Sequence, residues 1–260
     1  MSNETFLISM SQNNDLSKVA VAELRQDLSE HPLHQRLYTQ MAGLPGNNRK
    51  YGVKQTDTVA SPLLKKKILF LGSSVTFGFG ALGESFVDYL WKHDGVEAIK
   101  DAENGTTLVD QDAFNPGDSY VARFKENLDE EAPEMFVLQL STNDTKRGSK
   151  NLGEISDENF DTQTITGAME YMILTAQEKW HCPIMIYTNP YFDNQLYAQM
   201  VERSHELAEK YNIEVLDLYN NPDFKDQNSI YMADPIHPTR AGYKEKWLPI
   251  FEKKLIEILK

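Results

Sequence analysis

From Lys67 onward, short apolar runs alternate with longer stretches whose apolar residues recur at helical spacing, and few folds accommodate that order. Ile68-Leu69-Phe70-Leu71 is unbroken by any polar residue, as expected of a strand covered on both faces. Met135 to Leu140 reads as a second buried strand, Val96 to Ile99 as a weaker one, and Ile184-Met185-Ile186-Tyr187 and Ile213 to Leu218 as further strands. Between them, helices are predicted over Phe86 to Trp91, Tyr120 to Leu128, Thr164 to Trp180 and Leu196 to Tyr211. A last helix is predicted over Thr239 to Leu259, bent or interrupted at Pro249. Strand and helix repeated about five times predict a parallel sheet with helices on both faces, an α/β fold. Such sheets bind ligands beyond the carboxyl ends of their strands.

The first sixty residues follow another pattern. Residues 1 to 14 are polar and are expected to fray. Leu16, Val19, Ala20, Leu24, Leu28, Leu33, Leu37 and Met41 then recur at helical spacing, and Pro32 divides them into two helices. Gly43, Pro45 and Gly46 end the pattern, and Asn47 to Pro62 reads as a loop or linker. Residues 1–62 are therefore expected to form an N-terminal helical extension and linker, and 63–260 the main domain. The apolar stripe predicts that these helices cover part of the sheet edge or make a homo-oligomer.

With 39 acidic and 26 basic residues the net charge is −13, which disfavours nucleic acid and anionic membrane surfaces as partners. The N-terminus lacks the basic and apolar regions of a secretory signal, and no apolar run approaches the ~18–20 residues that span a bilayer. A cytoplasmic location is expected. Cys182, the single cysteine, excludes an internal disulfide and reads as an inert thiol at a strand start. His31 and His34 lack a third ligand at metal-binding spacing and, like His93 and His205, read as solvated helix positions.

Four short segments carry reactive groups at predicted strand ends. Gly72-Ser73-Ser74 follows the first strand, Asn104-Gly105-Thr106-Thr107 the second and Ser141-Thr142-Asn143-Asp144 the third, while Asp234-Pro235-Ile236-His237 precedes the last helix. A serine hydroxyl is a poor nucleophile until a base removes its proton. His237 is the candidate base, and Asp234, three residues earlier, can orient its ring within one turn. The backbone N–H groups of Ser74 and Gly105 and the side-chain amide of Asn143 are candidate donors to a developing oxyanion.

Taken together, these segments resemble the SGNH, or GDSL-type, hydrolase family of esterases and lipases. Gly72-Ser73-Ser74 stands where the family has Gly-Asp-Ser, Ser141 replaces the glycine of Gly-x-Asn-Asp, and Asp-x-x-His-Pro is intact from Asp234 to Pro238. The resemblance covers about Lys67 to Leu259. It implies a three-layer α/β/α, flavodoxin-like fold and a serine hydrolase with a Ser74, Asp234, His237 triad. The oxyanion hole it implies is formed by Ser74, Gly105 and Asn143. The substrate would be a small-molecule ester, with no metal or organic cofactor. The polar segment Gly148 to Asn159 lacks the apolar surface of a lipid-binding lid, which favours a short acyl group on a carbohydrate or metabolite over a lipid. Lipases and thioesterases of the same family remain alternatives.

Two readings from other classes compete. Ser73 and Ser141 depart from the family pattern, as in a binding protein that keeps the fold without useful turnover. Gly78-Phe79-Gly80-Ala81-Leu82-Gly83 fits Gly-x-Gly-x-x-Gly, with Asp101 near the place of a ribose-binding acid. A dinucleotide fingerprint must turn directly out of its strand, however, and this strand stops at Leu71.

Overall fold

A computed structural model describes residues 2–110, 117–147, 150–225, 228 and 230–260. In chain order the helices and strands are α1 (Asn3–Asn14), α2 (Lys18–Glu30), α3 (His34–Ala42), β1 (Lys67–Gly72), α4 (Ser74–Phe77), α5 (Phe86–Asp94) and β2 (Glu97–Ala102). They continue with α6 (Tyr120–Asn127), β3 (Met135–Gln139), α7 (Ile165–Trp180), β4 (Ile184–Tyr187), α8 (Gln195–Tyr211), β5 (Glu214–Leu216), α9 (Arg240–Gly242) and α10 (Leu248–Leu259). The chain divides into two compact units.

The sheet unit comprises Lys67–Ser73 and Ile99–Lys225. Its five strands lie in the order β2-β1-β3-β4-β5, the order of flavodoxin-like sheets. β1, β3, β4 and β5 pair in parallel, with Leu69 opposite Phe136, Val137 opposite Met185 and Ile186 opposite Val215. The apolar runs behave as predicted, and every residue from Ile68 to Leu71 and from Met135 to Leu138 is buried. Helices α6, α7 and α8 pack against β1, β4 and β5. α7 starts on Thr164, whose side chain accepts the Gly167 N–H, and it buries Ile165, Ala168, Met169, Met172, Ile173 and Ala176 along one stripe. Phe124, Phe136 and Trp180 form an aromatic cluster among these elements, with ring centroids 5.3 to 5.6 Å apart. Burial pushes the Cys182 thiol up to about 11, consistent with an inert group.

The second unit comprises Met1–Lys66, Ser74–Ala98 and Asp226–Lys260. Residues 3–14, expected to fray, are instead helical. Ser2 caps α1, and Phe6, Leu7 and Met10 form a buried face only three residues wide, too narrow to stand out in a polar sequence. α2 and α3 lie on either side of Pro32 as predicted. Leu16, Ala20, Leu24 and Leu28 are buried within the unit, whereas Val19, Leu33 and Leu37 remain exposed. The stretch read as a linker contains two 3-10 turns, Arg49–Tyr51 and Val53–Gln55, and buries Asn47, Tyr51 and Val53. Near the C-terminus the irregularity precedes Pro249. A π-helical turn spans Tyr243–Trp247, and Pro249 lies in the first turn of α10, where its missing N–H is not needed. Phe86 of α5 stacks on Phe251 of α10 with centroids 4.0 Å apart.

Candidate active site

The Asp234-to-His237 turn is built by its own polar groups. Ala233 N–H donates to the His237 carbonyl, and Met232 bridges Pro238 in antiparallel fashion. Asp234 Oδ1 accepts the N–H groups of Ile236 at 2.8 Å and His237 at 2.9 Å. Its other oxygen, Oδ2, lies 2.7 Å from His237 Nδ1. One carboxylate therefore closes the turn and holds the ring, which explains why a three-residue spacing suffices. His237 Nε2 lies 2.8 Å from Ser74 Oγ at the start of α4. A carboxylate, an imidazole and a hydroxyl thus form a continuous hydrogen-bonded relay. Burial alone would raise the Asp234 carboxyl, but the hydrogen bond and charge of His237 and the two N–H groups hold it down at about 2.

Contacts from the rest of this unit fix the relay. Tyr243 OH donates to the Val75 carbonyl at 2.6 Å, anchoring the residue after Ser74. A Cβ on Gly80 would come within 2.6 Å of the Pro238 carbonyl oxygen and 2.8 Å of His237 Cβ, so the His237 turn packs directly on glycine backbone. The Phe79 ring lies 5.4 Å from the His237 ring and 5.2 Å from that of His34. Asn47 donates to the Gly80 carbonyl at 2.8 Å and accepts the Arg240 N–H at 2.9 Å, bracing both sides of His237. Arg240 and Glu84 form an ion pair of 3.0 Å with both side chains fully buried. Glu84 also accepts the Ser17 and Val53 N–H groups, joining the N-terminal residues to the segment that carries His237.

The glycines of the Gly78–Gly83 run therefore have structural work. Gly78 has φ +90° and Gly80 is pressed against the His237 turn. Asp101, the supposed ribose ligand, pairs instead with Arg123.

In the sheet unit, the carboxyl ends of β1, β2 and β3 carry Ser73, Gly105 and Asn143. Asn143 Nδ2 donates to the Thr106 carbonyl at 2.8 Å and to Ser73 Oγ at 3.3 Å. Buried Asp144 accepts the N–H groups of Leu108 at 2.8 Å and Val109 at 3.2 Å, which clamps the two loops together. Burial pushes Asp144 up to about 6, although these N–H groups and the Ser141 hydroxyl act against it. Gly105 has φ +81°, a conformation that favours glycine. The Arg147 guanidinium covers the place of a Cβ there and donates to the Gly105 carbonyl at 3.0 Å. Ser73, where the family has aspartate, is fully buried, and its N–H donates to Gln139 Oε1 at 2.9 Å. Arg123 reaches the Gly72 carbonyl at 2.8 Å and Thr106 Oγ1 at 3.1 Å, binding the first two blocks.

Ser74, Asp234 and His237 are thus brought together in one unit, and Gly105 and Asn143 are tied to one another through Thr106 in the other. Asn47, Gly80, Glu84, Arg240, Arg123 and Asp144 were not singled out for these roles from sequence. Three histidines read as solvated positions have partners: His34 meets Asp27 at 2.9 Å, His205 meets Asp217 at 2.9 Å, and His93 Nδ1 lies 2.7 Å from the Asp57 carbonyl oxygen.

The GDSL-like lipase/acylhydrolase family model matches residues 70–245, more than half of the chain. The chain belongs to this family. No curated protein matches it. Similar solved structures include a protein from Bacteroides ovatus ATCC 8483 described as a GDSL-like lipase, 16% identical with a TM-score of 0.57 over 74% of this chain and 99% of that one. The inhibitor-bound aryl esterase of M. smegmatis is 15% identical with a TM-score of 0.55, over 74% of this chain and 99% of that one. A family two carbohydrate esterase from Clostridium thermocellum, in complex with cellohexaose, is 16% identical with a TM-score of 0.53, over 76% and 66%. At these identities the likeness of this GDSL-family hydrolase to them is one of fold. Among the described residues no helix is long and apolar enough to cross a membrane.

Proposed function

We propose that this GDSL-family hydrolase is a serine esterase that cleaves a carboxylic ester through an acyl-enzyme on Ser74. The observation that carries the reading is the relay Asp234–His237–Ser74, with steps of 2.7 and 2.8 Å. Ser74 Oγ attacks the ester carbonyl while its proton passes to His237 Nε2. Asp234 holds the ring by Nδ1–H and stabilises the imidazolium that forms. As the carbonyl re-forms, the bond to the alcohol breaks and His237 returns the proton to the leaving oxygen. Water, deprotonated by His237, then attacks the acyl-serine and regenerates Ser74. The resemblance assigns the oxyanion to the N–H groups of Ser74 and Gly105 and to the Asn143 amide.

A short acyl group on a carbohydrate or small metabolite is the proposed substrate. Within the segment Gly148 to Asn159, Gly148 and Ser149 lie outside the described residues. The remainder is held by polar contacts rather than free to act as an apolar lid. Glu170 accepts the Ser156 N–H, and Arg203 and Lys210 donate to the carbonyls of Gly153 and Ser156.

The test is hydrolysis of p-nitrophenyl acetate and butyrate by the purified protein beside Ser74→Ala. Turnover reduced on the order of 10⁶-fold in the variant supports the assignment. Equal slow rates in both proteins would count against it and bring forward the binding-protein reading, or an enzyme closed to these small esters.

A further inference from the structure

The carboxyl edge of the sheet carries aromatic residues beside the proposed oxyanion donors. Gly105 stands three residues past the end of β2 and Asn143 four past the end of β3. Farther across the sheet, Tyr191 stands four residues past the end of β4 and Tyr219 three past the end of β5. Gln139, Tyr187 and Leu216 pair side by side at the ends of β3, β4 and β5, so these three loops leave the sheet at one level. Adjacent strands are about 4.8 Å apart, so the loops of Tyr191 and Tyr219 start about one and two such steps from that of Asn143.

Tyr191 is 47% exposed and Tyr219 is half-buried. A single exposed ring is ordinary, but these two lean on one another, with centroids 5.2 Å apart and planes at 49°. They are also braced from beneath. Tyr219 packs on the fully buried Tyr197 ring at 5.7 Å. Tyr197 OH accepts the Asn189 N–H at 2.7 Å and donates at 3.2 Å to the carbonyl of Leu140, three residues before Asn143. The Tyr219 N–H donates to Thr188 Oγ1 at 2.9 Å, which ties the β5 loop to the β4 loop. The pair is therefore fixed relative to the Asn143 loop before any ligand arrives, which lowers the ordering cost of binding there.

We propose that Tyr191 and Tyr219 bind the alcohol part of the ester, taking as given the Ser74 esterase proposed above, and that this part is a neutral carbohydrate. Aromatic faces carry the negative side of the ring quadrupole and suit the polarised C–H groups on one face of a sugar ring. The surroundings add polar partners for its hydroxyls. Burial, with the charges of Tyr191 and Asp193 behind it, pushes the Tyr219 phenol up, so its hydroxyl stays neutral at physiological pH. Asp193 and Asn220 are exposed. The Asp193 carboxylate can accept from hydroxyls and repels phosphate or carboxylate groups. A fatty alcohol would use the rings alone and leave these groups without a purpose. A sugar ring joined to the ester oxygen bridges the one or two strand steps from the Asn143 loop to the tyrosines.

The test compares hydrolysis of a mono-acetylated methyl glucoside with that of ethyl acetate, followed by acetate release, in wild type, Tyr191→Ala and Tyr191→Phe. The preference for the sugar ester, as a ratio of kcat/KM values, should fall about tenfold in Tyr191→Ala, through KM, and return in Tyr191→Phe. An unchanged preference in Tyr191→Ala, or equal losses on both substrates, overturns the assignment. Losses on phenyl acetate with none on the glucoside would replace the carbohydrate by an aryl alcohol. Calorimetry separates this result from the esterase reading. Ser74→Ala protein should take up the acetylated glucoside saturably, about tenfold more weakly once Tyr191→Ala is added. Uptake that depends on Tyr191, without turnover that depends on Ser74, keeps the sugar site and removes the esterase. Turnover that depends on Ser74, without saturable uptake that depends on Tyr191, does the reverse.

Discussion

Gly80→Ala offers a sharp test of how His237, the proposed base, is held. An added Cβ would sit 2.6 Å from the Pro238 carbonyl oxygen and 2.8 Å from His237 Cβ, whereas ordinary contact begins at 3.4 Å. To relieve both contacts the carbonyl must retreat by 3.4 − 2.6 = 0.8 Å and His237 by 3.4 − 2.8 = 0.6 Å. Taken up along the 2.8 Å bond from His237 Nε2 to Ser74 Oγ, the smaller shift stretches it to 2.8 + 0.6 = 3.4 Å, beyond a good hydrogen bond. Overpacking of this kind costs about 1–3 kcal/mol of stability. Misplacement of the base on the order of an ångström lowers turnover by roughly 10²-fold. The assay is kcat for p-nitrophenyl acetate at a temperature where circular dichroism shows the variant folded. Gly43→Ala, whose Cβ would lie 3.4 Å from the Gln40 carbonyl oxygen, serves as the control and should keep wild-type kcat. A folded Gly80→Ala enzyme with unchanged kcat would refute the argument.

Other expectations follow from the same contacts. Asn143→Ala should lower kcat by roughly 10²–10³-fold with the fold intact, measured by steady-state kinetics and thermal melting; wild-type kcat would remove Asn143 from the oxyanion role. Glu84→Ala leaves the buried Arg240 guanidinium without its counter-charge and should cost about 3–5 kcal/mol in urea unfolding. A loss below about 1 kcal/mol would show that water reaches the pair. Asp234, held at about 2 in the fold against about 3.9 when unfolded, contributes stability that is present above about pH 4 and lost as pH falls through about 2. The stability difference between wild type and Asp234→Asn should shrink over that window, and a difference that is flat from pH 5 to pH 2 would contradict the linkage.

The features that proved legible in the sequence were local ones. Ile68 to Leu71 could only be a strand buried on both faces, Pro32 had to separate α2 from α3, and Thr164 marked the start of α7. The residues of the Asp234–His237–Ser74 relay could be singled out because Asp234 and His237 share one turn and Ser74 follows a strand. Long-range partnerships left no such trace. Nothing near Glu84 or Arg240 announces a fully buried ion pair across more than 150 positions, and Asn47 lay in a stretch with the composition of a loop. α1 was missed because three buried residues among polar neighbours give almost no periodic signal. His93 had no visible partner because the Asp57 carbonyl that its Nδ1 meets lies 36 positions earlier in the chain.

The division of the chain into units also sets an order of events during synthesis. Every residue of the sheet unit precedes Asp226, whereas the unit that holds the relay draws on Met1–Lys66, Ser74–Ala98 and Asp226–Lys260. A chain growing from its N-terminus can therefore pair all five strands before the segment bearing Asp234 and His237 exists. Until Arg240 emerges, Glu84 has no buried counter-charge, and the residues around it cannot close into their final packing. Ser74 is made early but stays without its hydrogen-bond partner His237 until more than 160 further residues have been added, so on the proposed mechanism a nascent chain carries the serine in an unactivated form.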